Sequence, residues 1–305
     1  MVRFLTSRIL QAALSLLVAS VAIFGLARLS GDPAEIMLGT DASNAERDAL
    51  RKHMGLDRPI SAQYVRYLGA AVRGDFGRSL RTREPAVVVV VEHLINSLKL
   101  VSVAMMMSLL FSVPIGVLSA SKRATVWDWL ARGSAVLGQS LPHFWVGIMS
   151  ILIFSVLLGW LPSSGMGGWK HYILPAAVMG WTVSAAIVRL LRSGMLDVLD
   201  SEYVKLARSE GLSETRVVWK HALRNALIPV VTFIGYTYGL LIASAFAIEV
   251  VFAWPGLGRL AIESVFWRDF PVLQLTVLVW AALVIVLNLL TDIVYGYLDP
   301  RIRKA

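Results

Sequence analysis

The residues of this chain best placed to do chemistry are polar side chains set inside or at the ends of long apolar runs: Asn96, Lys99, Gln139, His143, Arg189, Glu249, Asn288 and Asp292. A charge or amide in hydrocarbon is costly unless it finds a partner, so each marks either a contact between helices or a point on a polar pathway. Lys99, Arg189 and Glu249 lie near run ends, where a long side chain can reach water. Interhelical bonding or edge anchoring is the commoner use, and Gln139, His143 and Glu249 are kept as candidates for a substrate path. His143 stands alone beside Pro142, and a lone imidazole in a bent segment suits a hydrogen bond better than a metal. Met105, Met106 and Met107 are consecutive and therefore point to different sides of a helix, which suits adaptable packing rather than a thioether site.

Covalent chemistry finds no constellation. There is no His-Glu-x-x-His, no aspartate pair in mid-run and no arrangement of Ser, His and Asp that the topology could assemble. The absence of cysteine removes disulfides, thiolate metal sites and cysteine nucleophiles together. No Gly-x-x-x-x-Gly-Lys-Ser/Thr loop exists, so ATP has no Walker A cradle in this chain. A net charge of +9 could suggest nucleic acid, but the basic residues sit on loops beside apolar runs with no aromatic platform among them.

Mechanical work is better provided for. Ser201–Pro229, SEYVKLARSEGLSETRVVWKHALRNALIP, reads as two short helices around a glycine. Asp200 or Ser201 can cap the first, with Glu202 in its opening turn where negative charge suits the helix dipole. Gly211 supplies a left-handed stop, and Ser213 with Glu214 opens a second helix that runs directly towards Pro229 and the next apolar run. Pushing on such an element moves the run it joins. The alternative is an amphipathic loop that merely rests on a lipid surface.

The elements around these residues are membrane spans. A hydrophobic share of 57%, a charged share of 16% and a mean hydropathy of +0.68 exceed what a soluble core uses. Six runs approach the roughly 20 residues needed to cross hydrocarbon as a helix: about Ile9–Leu29, Ser97–Ala120, Gly133–Trp160, Ile173–Leu191, Ala226–Val250 and Val272–Tyr297. The third is long enough to tilt or bend around Pro142. The first follows Arg3 and Arg8 as a signal peptide would, but its apolar length is that of an uncleaved anchor. The fold class expected is therefore all-α integral membrane with six transmembrane helices.

Charge orients the spans. Arg3, Arg8, Lys122, Arg123, Arg132, Arg192, Lys205, Arg208, Arg216, Lys220, Arg224, Arg301, Arg303 and Lys304 all fall on one set of loops and termini. The positive-inside rule makes these cytoplasmic, with both termini inside. The domains expected are 1–30 (N-terminus and first helix), 31–95 (an external, periplasmic domain) and 96–305 (a five-helix membrane core that includes the loop at 197–225). The external piece is punctuated by turns at Asp57-Arg58-Pro59 and Arg73-Gly74-Asp75, and reads either as a cap over the helices or as a docking platform. A second turn, Trp254-Pro255-Gly256-Leu257-Gly258-Arg259, lies at the outer edge, where Trp254 suits a membrane interface. It either shapes the outer opening or an external contact, or anchors the fold.

Residues 201–229 resemble the EAA loop of ABC importer permeases. Ala207, Gly211 and Leu223 match the general form, while Tyr203, Val204, Ala207, Arg208, Gly211, Leu212, Ser213, His221, Leu223, Arg224, Asn225, Ala226 and Pro229 fit the peptide and nickel branch. Further matches to the first permease of dipeptide, oligopeptide, glutathione and nickel importers run along the chain: Gly31-Asp32-Pro33-Ala34, Gly55-Leu56-Asp57 with Pro59, Gly74-Asp75-Phe76-Gly77 with Ser79, Phe252–Arg259, Arg268-Asp269-Phe270-Pro271 and Asp299-Pro300-Arg301.

The resemblance implies a bacterial inner-membrane permease that pairs with a second, homologous permease. Two cytoplasmic ATPase subunits carry ATP and Mg, an external substrate-binding protein delivers the cargo, and this chain binds no cofactor. Tyr203, Val204, Lys205, Ala207, Arg208, Gly211, Leu212, Ser213, His221 and Arg224 would form the ATPase-coupling site. Ala207 would permit close approach, so a large residue there is expected to uncouple transport and leave the fold intact. Trp254, Pro255, Gly256, Gly258 and Arg259 would form the external turn or gate. Short peptides are the expected cargo, with nickel, a nickel chelate or glutathione as alternatives. A secondary transporter or channel is the rival class, and the scarcity of mid-span charge and lack of an internal repeat weigh against it.

Overall fold

The computed structural model describes residues 2–29, 34, 38, 43–121, 125, 133, 138 and 140–298. Gly31-Asp32-Pro33, Lys122, Arg123, Arg132, Gln139, Asp299-Pro300-Arg301, Arg303 and Lys304 lie outside the described residues, as does the side chain of Asp292. Among the described residues the regular structure is helical, with one isolated bridge between Arg78 and Pro85.

Ten helices follow in order among the described residues: α1 (Val2–Leu29), α2 (Asn44–Met54), α3 (Ile60–Val72), α4 (Ala86–Ser121), α5 (His143–Leu157), α6 (Lys170–Leu199), α7 (Glu202–Ser209), α8 (Glu214–Val251), α9 (Leu257–Phe266) and α10 (Phe270–Leu298). Five stretches among the described residues are long and apolar enough to cross a membrane: Thr6–Leu29, Ala86–Ser121, Lys170–Leu199, Glu214–Val251 and Phe270–Leu290. They overlie the first, second, fourth, fifth and sixth expected spans. The expected third span is represented by the shorter α5. Gly133, Gly138 and Ser140 are helical, and helix is interrupted at Pro142, which stands at the N-cap of α5 (φ −61°, ψ 134°), as expected of a residue with no N–H to give to an interior turn. The last seven residues of α5, Ile151–Leu157, widen into a π turn, and Gly159 (φ +63°) lies just beyond the end of the helix.

The chain divides into two compact units. The first comprises residues 1–96 and 255–286. Its core is built from Ala86, Val89 and Val90 of α4, Leu257 and Leu260 of α9, and Val272 and Leu275 of α10, with Phe76 and Trp280 packed against them. Here α3, from the segment expected to be an external domain, lies along the first span. The hydroxyls of Tyr64 and Ser20 are 2.7 Å apart, and the Phe24 ring meets those of Tyr64 and Tyr67 at centroid distances of 5.4 Å.

The second unit comprises residues 97–254 and 287–305. Within it α6 packs most extensively on α8, and α5 packs on both. Close approach between α4 and α6 depends on Gly180, since a Cβ there would stand 2.8 Å from the Ala104 carbonyl oxygen.

At the start of α2 a capping box satisfies helix-end donors. The Glu46 carboxylate accepts the Ser43 backbone N–H and hydroxyl, each at 2.9 Å, and Glu46 N–H donates to Ser43 Oγ at 3.3 Å. The backbone bond, then the hydroxyl, hold the carboxyl below its ordinary pKa. A depressed carboxylate stabilises the fold above its unfolded pKa, and that contribution disappears as pH falls through the folded value. Amide exchange in α2, corrected for intrinsic rates, should accelerate as pH drops below the ordinary glutamate range, and Glu46→Gln should flatten this response. A pH response left unaltered by the substitution would remove the assignment.

Candidate functional site

The segment expected to be a coupling loop is built on three helices of the second unit. α6 ends at Leu199, and two residues later α7 begins with Ser201 at its N-cap (φ −74°, ψ 154°). Ser201 has the cap's backbone but not its bond: its hydroxyl turns back to the Val198 carbonyl at 2.5 Å. Glu202 occupies the first turn as expected and receives Lys205 Nζ at 2.7 Å. That hydrogen bond, and the carboxylate's charge, hold the Lys205 ammonium above its ordinary pKa.

Gly211 adopts φ +78°, the left-handed geometry that a side chain with a Cβ resists. Gly211 N–H donates to the Arg208 carbonyl at 3.0 Å and Leu212 N–H to the Ala207 carbonyl at 3.3 Å, closing the helix end. Ser213 then takes the N-cap position of α8 (φ −59°, ψ 140°). Arg208 ties the turn together. Its guanidinium donates to both oxygens of Glu214, at 3.1 and 2.8 Å, and to the Leu199 carbonyl at 3.4 Å. One side chain thus joins the end of α6 to the start of α8. A second tie runs from Asn225 Nδ2 to Tyr203 Oη at 2.7 Å.

Burial sorts the loop into two faces. Val204 and Ala207 are buried, on the side of α7 that packs against α6 and the start of α8. Tyr203, Lys205, Leu206 and Arg208 are exposed, Leu206 at 60%. This corrects the expectation for Ala207: at 7% exposure it faces its own chain, so a large residue there would displace the chain's own packing rather than leave the fold intact. Val217–Ala222 form a π turn inside α8, which places Val217 and Ala222, five residues apart, on one buried face. His221 is half-buried in this turn, and Arg224, two residues past its end, is exposed. Beyond Pro229 the helix continues without a break to Val251.

The outer turn differs from expectation in its leading residue. Trp254 is fully buried, edge-on to Tyr172 with centroids 4.6 Å apart, and donates its backbone N–H to the Glu249 carbonyl at 2.8 Å. It is a core anchor and not a lipid-facing aromatic. Pro255 and Gly256 lead into α9, whereas Gly258 and Arg259 already belong to it; Arg259 Nε donates to Glu263 at 2.7 Å. The Pro255 carbonyl accepts Asn96 Nδ2 at 3.2 Å.

The three path candidates part company. Gln139 lies outside the described residues. His143 Nε2 pairs with Thr182 Oγ1 at 2.8 Å, whose hydroxyl donates to the Gly138 carbonyl at 3.0 Å. Glu249 does not reach water as expected; it is fully buried and accepts Ser97 Oγ at 2.5 Å. Met105 is buried and Met106 is 70% exposed, so the methionine run does point around its helix.

Two motifs valued in the sequence only for their resemblance prove to be one structure in the first unit. Ser79 donates to Asp269 Oδ2 at 2.5 Å, and Ser79 Oγ accepts the N–H groups of Arg81 and Thr82. Arg81 lies over the Trp267 ring at 4.8 Å and donates to Glu263 at 3.2 Å. A buried aspartate and a serine 190 residues apart carry no periodic signal, so nothing in the sequence pairs them. The matching polar types in two turn motifs were the one available hint.

This is a multi-span helical protein whose hinged, basic helix pair is fused to a membrane span, and comparison with known proteins defines its class. A family model described as "Binding-protein-dependent transport system inner membrane component" matches residues 112–304, and the corresponding N-terminal model matches residues 1–95. The glutathione transport system permease protein GsiC of Escherichia coli (strain K12) is 39% identical over 304 residues, covering 99% of each chain. GsiC of Salmonella paratyphi A is 40% identical over the same span. Among solved structures, the MetNI methionine ABC transporter in an inward-facing conformation matches with a TM-score of 0.57 at 18% identity, over 70% of this chain and 97% of that one. An amino acid ABC transporter matches with a TM-score of 0.54 at 15% identity, over 69% and 94%. These two show the shared fold. The chain belongs to the family of binding-protein-dependent transport system inner membrane components. It is a permease subunit of a bacterial ABC importer and a multi-pass inner-membrane protein.

Gly211 isolates one physical term, because no atom lies within 4 Å of where its Cβ would be. Gly211→Val should cost about 1–2 kcal/mol through the left-handed backbone alone, which corresponds to roughly 5- to 30-fold faster local opening. Amide exchange across residues 202–216 measures it, and an unchanged rate would show that the turn is not strained by a side chain.

Proposed function

We propose that this chain forms, with a second homologous permease, the path for short peptides that an external binding protein delivers. With six spans both termini lie in the cytoplasm, residues 31–95 join the first two spans from the external side with α3 running back along the first span, and residues 96–305 form the permease core. Two ATPase subunits grip the loop at 197–225 from the cytoplasmic side; they hold the ATP and Mg, and the permease has no catalytic site of its own. The observation that carries this reading is the loop's construction. An exposed face with Tyr203 and Leu206 at its centre is backed by a buried face, tied by Arg208 to two helices, and continuous with a span that runs to Val251.

Force applied to α7 reaches α8 through these ties. The Arg208 fork and the Tyr203–Asn225 bond resist sliding, and the buried Val204 and Ala207 resist separation. Closure of the ATPases would then rock α8 as a lever. Trp254 and Glu249, buried at the far end of that lever, would transmit the motion to the external turn. The full-length likeness to glutathione permeases supports a peptide cargo, since glutathione is itself a short peptide.

Leu206→Asp should abolish ATP-driven uptake in the reconstituted importer while amide exchange in α6–α8 stays unchanged. Full uptake by that variant would overturn the docking face. Ala207→Trp, in contrast, should accelerate exchange in the loop as well as abolish uptake. For the cargo, titrating the cognate binding protein should give tighter binding of glutathione or dipeptides than of Ni²⁺; binding of Ni²⁺ alone would overturn the peptide reading.

A further inference from the structure

We propose that the first unit holds one phospholipid in a defined site between α1, α3 and α10, with an acyl chain in an apolar groove and the phosphate beside Arg28. The groove has a volume of about 500 Å³ and is walled by Leu16 and Leu17 of α1, Leu68 and Ala71 of α3, and Leu278 and Val279 of α10. Two of its three walls are membrane spans. The lining residues of α1 and α10 fall in the middle of the stretches Thr6–Leu29 and Phe270–Leu290, so the groove sits at the depth of hydrocarbon. A chain shown to be a multi-pass membrane protein therefore exposes this groove to lipid before it meets any other apolar partner.

The polar end is adjacent. A smaller cavity of about 120 Å³ is lined by Arg28, Phe270 and Gln274, and Phe76 borders both spaces. From Ser20 to Arg28 is eight residues, or about 12 Å along an α-helix, so the cation lies at the end of the same two spans whose middles form the groove. The Arg28 guanidinium lies over the Phe24 ring at 5.2 Å. A guanidinium and an amide lining one cavity suit a phosphate oxygen, and an arginine at the end of a span sits at headgroup depth.

The third wall gives the groove its depth. α3 buries none of its residues, and Val65 and Val72 are 68% and 82% exposed although the helix is apolar. Held to α1 by the Tyr64–Ser20 bond, it converts the flat side of a span into a furrow. In water such a surface would be an apolar patch seeking cover; beside a span, its cover is an acyl chain.

The test uses the full importer in nanodiscs of phosphatidylethanolamine and phosphatidylglycerol that contain phosphatidylglycerol with a photoactivatable acyl chain. Peptide mapping should find adducts on residues 13–20 and 68–72. Ala71→Trp, which fills the groove, should abolish them, and Arg28→Gln should reduce them several-fold, while adducts at the exposed Val286 and Leu290 persist in both. Amide exchange of α3 checks the fold; if Ala71→Trp alters it, Arg28→Gln decides. Groove adducts that change no more than those at Val286 and Leu290 would overturn the proposal, as would cross-links from the groove to a partner subunit in place of lipid.

Discussion

Hydrocarbon offers the peptide backbone no hydrogen-bond partner, and the rest of this structure follows from that constraint. Every long apolar stretch among the described residues is a helix, and the irregular backbone gathers at the ends of helices. Pro114, Pro175 and Pro229 stand inside α4, α6 and α8, and each helix continues past its proline. Polar side chains pair both at these ends and within the helices, as at Ser20–Tyr64 and Ser108–Ser184. There they do the joining that backbone bonds between strands do in a sheet.

Three such joints recur with the same design. Ser79 with Asp269, Ser97 with Glu249, and Arg208 with Glu214 each pair a carboxylate with a donor far away in sequence or across a turn. Each carboxylate stands near a helix terminus, so it fixes where one element ends or begins relative to another. A buried polar group is costly to leave unpartnered, so the two buried joints, Ser79–Asp269 and Ser97–Glu249, specify register as much as they stabilise it. The bulk of the adhesion comes instead from tight helix contacts such as that at Gly180, where packing rather than charge decides the spacing.

Sequence patterning revealed those aspects of the protein that depend on composition and local chemistry. Hydropathy located five of the six expected spans, and the left-handed Gly211 and the helix pair around it were legible because glycine has few rivals for that backbone. What remained hidden depends on direction. Ala207 and Leu206 are neighbours in a short helix, and only the packing of α7 decides which faces the chain. Trp254 and Glu249 carry types that usually seek an interface, yet tertiary contacts bury both. The π turns left no trace, since their residues are ordinary helix and strand formers, and the Ser79–Asp269 pair spans a separation that periodicity cannot see.

The widened turn at Val217–Ala222 has a meaning for descent as well as for mechanics. A π turn is an α-helix that has accepted one extra residue, and one residue is worth about 100° of rotation. It sits between the portion of α8 that joins the loop and the portion that crosses the membrane. The wide turn takes up that rotation locally, so the portion that joins the loop and the portion that continues beyond Pro229 each keep their own buried face. The length of α8 can therefore differ by one residue at Val217–Ala222 without turning the faces on either side of it.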